Sequence, residues 1–423
     1  MSIMRRKISA LLLICLPGLS LHLHAGGNFL ESPDAYLGQT PPGDTSVEFA
    51  PGLLADPGTF AIGRIGISPD GKEIYYTQNN TWFDGKNEQV RGFVFANGKW
   101  NGPTVLFPGL ANPAYSVDGN TLYLGGSMTQ VKRSFRTPTG WGTPEAFLES
   151  ENTVVYNFNP TVGSNFYACS NPDPEDVKNG CTNVFSVLTV SNGIPATKSL
   201  GRPLNGPGFN GDFFVAPDES YMVLSAKETK DYECEIYISY RKPDQTWTNP
   251  KSLGPVINDG VAHRFGEFAT PDNKYLFYCR GTSPKDTKIL WVRFDGLLEH
   301  LRHTNFEPYV KAPIADQSVD AGNRFTTMID SSTFFDDDGS ETLSYSAALS
   351  DGSALPKWIH FDPATRSFSG AAPQIGIFNL RVTVTDPAKA TASCTFALKI
   401  KTAAAMAGTS DGKSHSGNTG TAP

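Results

Sequence analysis

Charged residues are scarce in this chain of 423 residues, because Asp, Glu, Lys and Arg make up 18% of it against about 25% in an average soluble domain. Acidic side chains outnumber basic ones, 42 to 35. A chain without a basic surplus lacks the electrostatic footprint that nucleic-acid binding requires. The composition also lacks the Gly-X-Y period of collagen and the charged heptads of a coiled coil, which excludes both classes.

Long apolar stretches are absent after the first 25 residues, so no later segment predicts a membrane-spanning helix. The sequence also lacks a His-Glu-x-x-His motif, a zinc-type cysteine cluster and the Gly-x-Ser-x-Gly elbow, which leaves zinc chemistry and an α/β-hydrolase site without support. Gly (41) and Pro (31) are abundant instead. These residues favour short strands joined by tight turns, so the composition predicts a mostly β protein.

The two ends of the chain differ from the rest of it. Arg5, Arg6 and Lys7 precede an apolar segment at residues 8–21, and Ala25 offers a small residue at the expected cleavage position. This pattern predicts a secretory signal peptide at residues 1–25 and export to the periplasm or the cell surface. Residues 402–423 consist largely of Ala, Gly, Ser and Thr, which predicts a disordered tail.

A segment of ten residues recurs along the chain and indicates a repeat architecture. Residues 68–77 read Ser-Pro-Asp-Gly-Lys-Glu-Ile-Tyr-Tyr-Thr, and related segments lie at 116–125, 216–225 and 270–279, with a degenerate copy at 160–169. Each copy combines a turn signature with an alternating apolar strand, and a second strand and a third, Trp-containing or Ile-containing element follow. Four short strands per 40–50 residues predict a blade of a β-propeller.

The fifth copy lacks its last strand, because a short helical segment at residues 296–302 follows Phe294. Residues 47–54 are similar to the last strand of the first repeat, residues 105–110. We therefore expect the N-terminal segment to complete the last blade and close the ring, which removes free sheet edges. The prediction is an all-β fold with a five-bladed propeller, or alternatively a six-bladed one, over residues 45–305.

These motifs resemble the TolB-like, WD-like β-propeller proteins of exported bacterial systems. The resemblance lies in the Ser-Pro-Asp-Gly-x-x-(apolar)-Tyr core, in Phe49-Ala-Pro-Gly, and in the Leu-Gly-x-x-(Ile/Leu)-Asn turns at 200–205 and 253–258. It implies a fold and not an activity, because propellers serve both as binding modules and as enzymes.

A second all-β pattern of about seven short strands follows a predicted linker at residues 308–313, and it predicts an Ig-like β-sandwich over residues 311–401. Residues 334–345 (Phe-Phe-Asp-Asp-Asp-Gly-Ser-Glu-Thr-Leu-Ser-Tyr), 355–362, 368–370 and 382–386 resemble the dystroglycan-type, cadherin-like domains of bacterial surface proteins. The resemblance implies calcium or saccharide binding.

Calcium is the only cofactor for which the sequence offers ligands. Asp336 and Asp338 supply hard oxygen atoms of the type that calcium prefers, and Asp386 is a possible partner. Neighbouring side chains on an extended segment point to opposite faces, so Asp337 is not expected to share the ion with them. The alternative is that the acidic residues form a solvated turn at Gly339.

Five cysteines follow the predicted signal peptide. Cys169 and Cys181 flank a loop between two strands of the third repeat, and exported proteins meet an oxidising environment, so we expect a disulfide between them. The sequence leaves open whether Cys234 and Cys279 pair or are buried thiols, and Cys394 is expected in the core of the sandwich.

The innermost strands of a propeller line its central channel, and the five repeats place polar residues there. Alignment on the turn predicts a polar rim formed by Arg64, Asn112, Asn157, Asp212 and Glu267. These residues either bind a ligand or are ordinary solvated channel residues. The turn aspartates recur with the turn itself, so they are expected to be structural: Asp70, Asp118, Asp218 and Asp272.

The function that follows is an exported, non-catalytic binding protein of the cell envelope or surface, whose partner is an envelope protein or a polysaccharide. The alternative is a carbohydrate-active enzyme of the glycoside hydrolase type. Such an enzyme needs two carboxylates that flank the scissile bond, and Asp212 and Glu267 on neighbouring blades are the candidates.

Overall fold

Five antiparallel sheets and a separate β-sandwich make up the fold. The computed structural model describes residues 28–82, 87–163, 165–226, 228–229 and 231–402. The predicted signal peptide at residues 1–25 lies outside the described residues, and so does the predicted tail beyond Thr402. No helix in the described part of the chain is long and apolar enough to cross a membrane.

Each of the five sheets is called a blade here and is numbered in chain order. Strand β1 is Val47–Glu48. Blade 1 contains β2–β5: Phe60–Ile67, Glu73–Asn79, Gln89–Ala96 and Lys99–Pro108. Blade 2 contains β6–β10: Ala111–Tyr115, Thr121–Ser127, Gln130–Thr137, Gly140–Trp141 and Glu145–Glu149. Blade 3 contains β11–β14 and helix α1, with the bounds Tyr156–Pro160, Phe166–Ser170, Val184–Ser191, Ile194–Ser199 and, for α1, Pro174–Lys178.

Blade 4 contains β15–β18: Phe213–Val215, Tyr221–Ala226, Glu235–Tyr240 and Lys251–Ser252. Blade 5 contains β19–β21, which are His263–Ala269, Tyr275–Gly281 and Lys288–Arg293, and helix α2, Asp295–Arg302, follows it. Short 3₁₀ helices lie at Phe29–Glu31, Tyr36–Gly38 and Pro284–Asp286.

In blades 1, 2 and 5 the recurring turn is held by the residues that define the repeat. In blade 1 the Ser68 hydroxyl donates to Asp70 Oδ1 over 2.6 Å, and the Glu73 backbone N–H donates to Ser68 Oγ over 2.9 Å. The same pair of bonds forms at Ser116 and Asp118 in blade 2 and at Thr270 and Asp272 in blade 5. The prediction that these aspartates are structural is therefore confirmed.

The apolar cores of the propeller lie between neighbouring blades. Tyr75 and Val90 of blade 1 pack with Leu122 and Leu124 of blade 2, and similar clusters lie between blades 2 and 3, 3 and 4, and 4 and 5. The cluster between blade 5 and blade 1 contains Trp291. Each blade is thus buried on both faces, which explains the near-continuous burial of strands such as β2 and the weak alternation of their sequences.

Strand β1 closes the ring, as the sequence predicts. It pairs antiparallel with β21, so that Val47 lies opposite Trp291, and the Phe49 N–H donates to the Ile289 carbonyl over 2.9 Å. The strand is shorter than the predicted segment 47–54, because the backbone turns at Ala50, where φ is 46°. Blade 5 is therefore built from both ends of the propeller sequence.

The C-terminal domain is a sandwich of two sheets. Its strands β22–β30 are Tyr309–Val310, Gln317–Asp320, Arg324–Met328, Phe334–Phe335, Ser344–Leu349, Ile359–Asp362, Ser367–Ala371, Gly376–Thr385 and Thr391–Lys401. One sheet has the order β23-β30-β29-β26 and the other β24-β28-β27, with Phe368, Leu380 and Phe396 buried between them. The predicted linker at 308–313 contains β22, which pairs with β25 and so belongs to this domain.

Asp337 joins the sandwich to blade 4 of the propeller. Its side chain, only 1% exposed, accepts hydrogen bonds from Lys242 Nζ over 2.7 Å and from the Asn249 N–H over 2.6 Å. The Lys242 ammonium makes a second contact, since it also lies 4.8 Å from the centre of the Phe335 ring. The alternative of a fully solvated acidic turn is therefore wrong for Asp337, because this carboxylate is buried in an interdomain contact.

Candidate functional site

A β-bulge recurs in the inner strands of four blades. The register of β2, β6, β11 and β19 shifts against the neighbouring strand, and each bulge holds one residue with positive φ: Gly63 (68°), Asn112 (50°), Asn157 (54°) and Gly266 (69°). At Gly63 a Cβ would lie 2.3 Å from Asn112 Oδ1, so only glycine fits there. Bulges re-aim side chains, and here they turn polar residues toward the channel.

Arg64 occupies the centre of the channel because the bulge in β2 is one residue longer than the others. Its guanidinium, with the residue only 3% exposed, donates from Nη1 to the Phe158 carbonyl over 2.8 Å and from Nη2 to the Phe213 carbonyl over 2.7 Å. Nη2 also bonds to Asn157 Oδ1. One side chain of blade 1 thereby connects blades 3 and 4.

Two carboxylates accompany this buried cation. Asp212 Oδ2 accepts the Gly266 N–H over 3.1 Å, and Glu267 Oε1 accepts the Ser225 hydroxyl over 2.5 Å while its Oε2 has no hydrogen-bond partner among the described residues. Burial raises the pKa of both groups, and the Asp212 charge adds to the effect on Glu267, whose pKa reaches about 8. Burial lowers the pKa of Arg64 to about 10 against the opposing pull of Asp212 and Glu267. At neutral pH Glu267 therefore retains its proton.

A cavity of about 950 Å³ opens on one side of Arg64. Its floor is formed by residues in or next to the inner strands, namely Asn112, Asn157 and Asp212. Its walls are supplied by loops at the ends of the blades, which carry Trp82, Glu228 and Tyr232. A smaller cavity of about 280 Å³ lies on the other side and is lined by the turn residues Pro69, Val117, Pro217 and Pro271. Arg64 lines the smaller space, and its hydrogen-bond partners Asn157 and Phe158 line the larger one.

Glu228 is the carboxylate that faces the cavity beside Asp212. It follows strand β16, and its Oε2 lies over Gly211, where a Cβ would approach it to 2.9 Å. Burial, together with the Asp212 charge, raises the pKa of Glu228 to about 7. Burial lowers the pKa of His263, another lining residue, to about 4, so this imidazole is neutral at pH 7, and it stacks 4.3 Å from the Phe265 ring centre.

The structure brings the five predicted rim residues together, but as a central cluster and not as a rim. Asn112, Asn157 and Asp212 line the large cavity. Arg64 lies in the channel below it, and Glu267 is fully buried behind Ser225. Asp212 and Glu267 therefore do not both face the cavity, as the proposed catalytic pair would require. Glu228 is not among the residues predicted from the sequence. This residue lies two positions after β16, the strand that pairs with inner strand β15, and that position could have indicated that it lies at the same end of the blade as the predicted residues.

The expected disulfide between Cys169 and Cys181 is not formed in the structure, where both are free thiols. Cys169 Sγ donates to the Gly211 carbonyl over 3.2 Å, beside the channel, whereas Cys181 Sγ donates to the Gly206 carbonyl over 3.1 Å. Helix α1 lies between the two cysteines in the chain and turns Cys181 away. Cys234, Cys279 and Cys394 are also buried free thiols.

The predicted calcium ligands lie near the interdomain contact. Asp338 accepts the Phe306 N–H over 2.5 Å, and Asp386 accepts the Asn305 amide over 2.8 Å. Asp336 is buried, with Oδ2 unpartnered among the described residues, and burial, with Asp338 and Asp386 nearby, raises its pKa. Within residues 28–402, apart from the gaps named above, no group of three or more acidic, His or Cys side chains has the spacing of a metal site. An unpartnered Asp336 oxygen beside two carboxylates nevertheless fits a divalent cation chemically.

Comparison with known proteins supports the second domain directly. A family model described as "Putative Ig domain" matches residues 307–401. The chain combines a β-propeller with a C-terminal Ig-like domain. No curated protein matches the chain, so the assignment of the propeller rests on its own sheets.

Solved structures similar to parts of the chain come from proteins of different kinds. TolB from Acinetobacter baumannii is 16% identical, with 54% of this chain and 53% of TolB covered and a TM-score of 0.30. The hydrazine synthase of Kuenenia stuttgartiensis is 14% identical, with 60% and 83% covered and a TM-score of 0.34. An oligogalacturonate lyase in complex with manganese is 12% identical, with 58% and 68% covered and a TM-score of 0.33. The chain thus spans about half of the length of TolB.

The buried proton on Glu267 predicts a pH dependence of stability. Between its ordinary pKa of 4.5 and the folded value of about 8, the unfolded chain is ionised at this residue and the folded chain is not. Folding therefore binds a proton in this window, and the free energy of unfolding falls as the pH rises through it, by up to about 1.4 kcal/mol per pH unit. Glu267→Gln abolishes this contribution.

Guanidinium titrations of both proteins at pH 5, 6.5 and 8 test this expectation. The stability of Glu267→Gln relative to the wild type should increase steadily with pH, because contributions from other groups cancel in the difference. The matched control is Glu307→Gln, whose side chain is exposed. A constant difference between Glu267→Gln and the wild type at the three pH values would show that Glu267 is ionised in the folded protein.

Proposed function

We propose that this chain is an exported, non-catalytic binding protein of the cell envelope, and that the large propeller cavity binds a glycan. The cavity of about 950 Å³ carries the proposal, because it has the size of a ligand site at the upper end of the usual range of roughly 300–1,000 Å³. Export is supported by the signal pattern at residues 1–25. The Ig-like domain is a second recognition module on the same chain.

The lining of the cavity has the mixed chemistry that saccharides require. Trp82 and Tyr232 offer aromatic faces, with ring centres 6.4 Å apart, and such rings cover the apolar faces of a ligand at low entropic cost. Asp212 and Glu228 offer acceptors for hydroxyl groups beside them. Phe209 is 42% exposed and Met128 is 55% exposed at the same cavity, which extends the contact surface outward.

The cluster around Arg64 supports binding in preference to passage through the channel. A ligand that enters the large cavity meets Asn157 and Phe158, both of which accept hydrogen bonds from the Arg64 guanidinium, and that guanidinium is also bonded to the Phe213 carbonyl. Moving Arg64 aside would break these bonds and uncover buried carboxylates, at a cost of several kcal/mol. The cavity is therefore proposed as a pocket with one entrance.

One observation favours a second candidate function, glycoside hydrolysis. Asp212 and Glu228 face the same cavity, and a pKa of about 7 suits Glu228 to general-acid catalysis near neutral pH. These two residues, and not Asp212 with Glu267, are the pair that such a mechanism would use. Released reducing sugar distinguishes this candidate from simple binding.

We also propose that calcium binds at the interdomain contact through Asp336 and Asp338, with Asp386 beside them. The ion would neutralise carboxylates that repel one another and would supply a partner for the buried Asp336 oxygen. Because Asp337 connects the same segment to Lys242, calcium would stiffen the junction between the two domains.

A polysaccharide array tests the proposed function on the mature full-length protein, with calcium and with chelator. We expect glycan binding without released reducing sugar. Phe209→Ala should weaken this binding about tenfold or more, which is typical of a buried aromatic contact, and chelator or Asp336→Asn should weaken it only if the sandwich contributes.

The matched control is Phe135→Ala, a phenylalanine of similar exposure on outer strand β8 that does not line the cavity. Equal binding by Phe209→Ala, Phe135→Ala and the wild type would remove the cavity from the proposal. Sugar release that Glu228→Gln abolishes would replace it with hydrolysis.

A further inference from the structure

We propose that the large cavity selects saccharides that carry a free, protonated amino group. This inference rests on the proposed glycan-binding function and names the ligand class within it. Three observations carry it: the balance of charged groups in the described lining, an unpartnered amide donor on the floor, and the aromatic wall beside the carboxylates.

The described lining residues contain three carboxylates and one guanidinium, and the neighbouring Arg64 guanidinium offsets part of the Asp212 charge. Glu88, Asp212 and Glu228 are the carboxylates, and Arg264 is the cation. Arg264 does not neutralise the cavity, because its Nε donates to the Ile257 carbonyl over 2.8 Å, its Nη1 to the Cys234 carbonyl over 3.0 Å, and its Nη2 to the Asp259 carbonyl. Its N–H groups therefore point into blade 4 and the loop around residue 259, and the cavity favours a cationic ligand.

Asp212 and Glu228 form the centre of this negative surface. Both belong to blade 4, and the raised pKa of Glu228 follows from burial and from the nearby Asp212 charge. Two carboxylates that repel each other in a partly desolvated cavity gain from an ammonium group between them, and charge-assisted hydrogen bonds of this kind are the strong ones. A neutral N-acetyl group in the same place would leave this repulsion unrelieved.

Asn157 supplies an independent sign of a missing polar partner. It lines the cavity and is 6% exposed, and its Oδ1 accepts a hydrogen bond from Arg64. Its Nδ2 has no hydrogen-bond partner among the described residues, although the amide faces Asp212 and lowers the pKa of that carboxyl. A buried donor of this kind costs free energy unless it is satisfied, and a ligand hydroxyl next to Asp212 would satisfy it.

A saccharide fits these features better than a single lysine side chain does. Ammonium next to hydroxyl groups on one ring matches the adjacent carboxylate acceptors and the Asn157 donor, whereas a lysine brings donors only. Trp82, Tyr232 and His263 form a connected aromatic wall, with Trp82 and His263 ring centres 5.0 Å apart, and this wall suits both the faces of sugar rings and a nearby cation.

Calorimetric titration of the mature protein with two tetrasaccharides tests the inference: a glucosamine tetramer and an N-acetylglucosamine tetramer of the same linkage. We expect the free-amine form to bind about tenfold tighter or better, since hydrogen bonds to charged groups are stronger than those between neutral groups. Glu228→Gln should weaken binding of the free-amine form much more than binding of the N-acetyl form and so remove the preference, while the exposed-site control Glu307→Gln should behave as the wild type.

A second measurement uses the wild type alone, so its result does not depend on whether the variant folds. Raising the salt concentration should weaken binding of the free-amine form to the wild type and leave the N-acetyl form unaffected. Equal affinity for both tetramers would overturn the amine selectivity and leave glycan binding intact. Binding of a lysine-rich peptide with no binding of either tetramer would overturn both the saccharide class and the proposed function.

Discussion

Arg64→Met will destabilise the propeller by about 3–5 kcal/mol, the usual result of removing one partner from a buried ionic cluster. Methionine keeps the unbranched stem of the side chain and removes the guanidinium. The carbonyls of Phe158 and Phe213 lose their donors, and Asp212 and Glu267 lose the cation that offsets their burial. Guanidinium unfolding followed by near-ultraviolet circular dichroism measures the change.

An exposed arginine provides the control. Arg293 is paired with Asp295 over 2.9 Å, and its side chain is 56% exposed, so Arg293→Met should leave the stability close to that of the wild type. Adding Asp212→Asn and Glu267→Gln to Arg64→Met should recover part of the lost stability, because no buried charge then remains unpaired. Equal transition midpoints for Arg64→Met and Arg293→Met would show that the central cluster does not stabilise the ring.

Phe49→Ala will open the ring at its closing strand. Phe49 is 1% exposed, and its ring centre lies 5.1 Å from Phe277 and 5.3 Å from Trp291 in edge-to-face contacts. Truncating a buried phenylalanine costs about 3–5 kcal/mol. Amide hydrogen exchange of β21 should therefore become at least about 100-fold faster.

The amides of the Ig-like domain provide an internal control, because their protection from hydrogen exchange should be the same in Phe49→Ala as in the wild type. Leu53→Ala, four residues away and 54% exposed, should leave exchange in β21 close to that of the wild type. Unchanged protection of β21 in Phe49→Ala would mean that the strand pairing alone holds the ring closed.

The turns and strands of the propeller could be predicted because their causes are local. The sequence repeats a turn with Ser68 and Asp70 together with the strand that follows it. The structure shows the hydrogen bonds by which these two residues hold the turn and the start of the strand. The closing strand was also predictable, since residues 47–54 are similar to an outer strand and blade 5 lacked one. The Ig-like domain carries an equally local pattern of strands and turns.

The site was less predictable because its geometry depends on the bulges and on loops. The bulge in β2 is one residue longer than those of the other blades, so Arg64 enters the channel where a regular alignment places it at the rim. Glu228 and Tyr232 come from the loop between β16 and β17, and the corresponding loops of the other blades differ from it in length and sequence. Asp337 contacts Lys242 across two domains, and no local pattern records such a contact.

The pairing of β1 with β21 has a consequence for the order of events during synthesis. Residues at the N-terminal end leave the ribosome first, but the partner of Val47 is Trp291, so nearly the whole propeller must emerge before the last blade can be completed. Until then β1 has no sheet to join, and the outer edge of β21 is formed only at the end. Contacts so distant in sequence form slowly. The unfinished ring therefore remains open for the whole of its elongation, which is a state that an export pathway can still thread through a narrow pore.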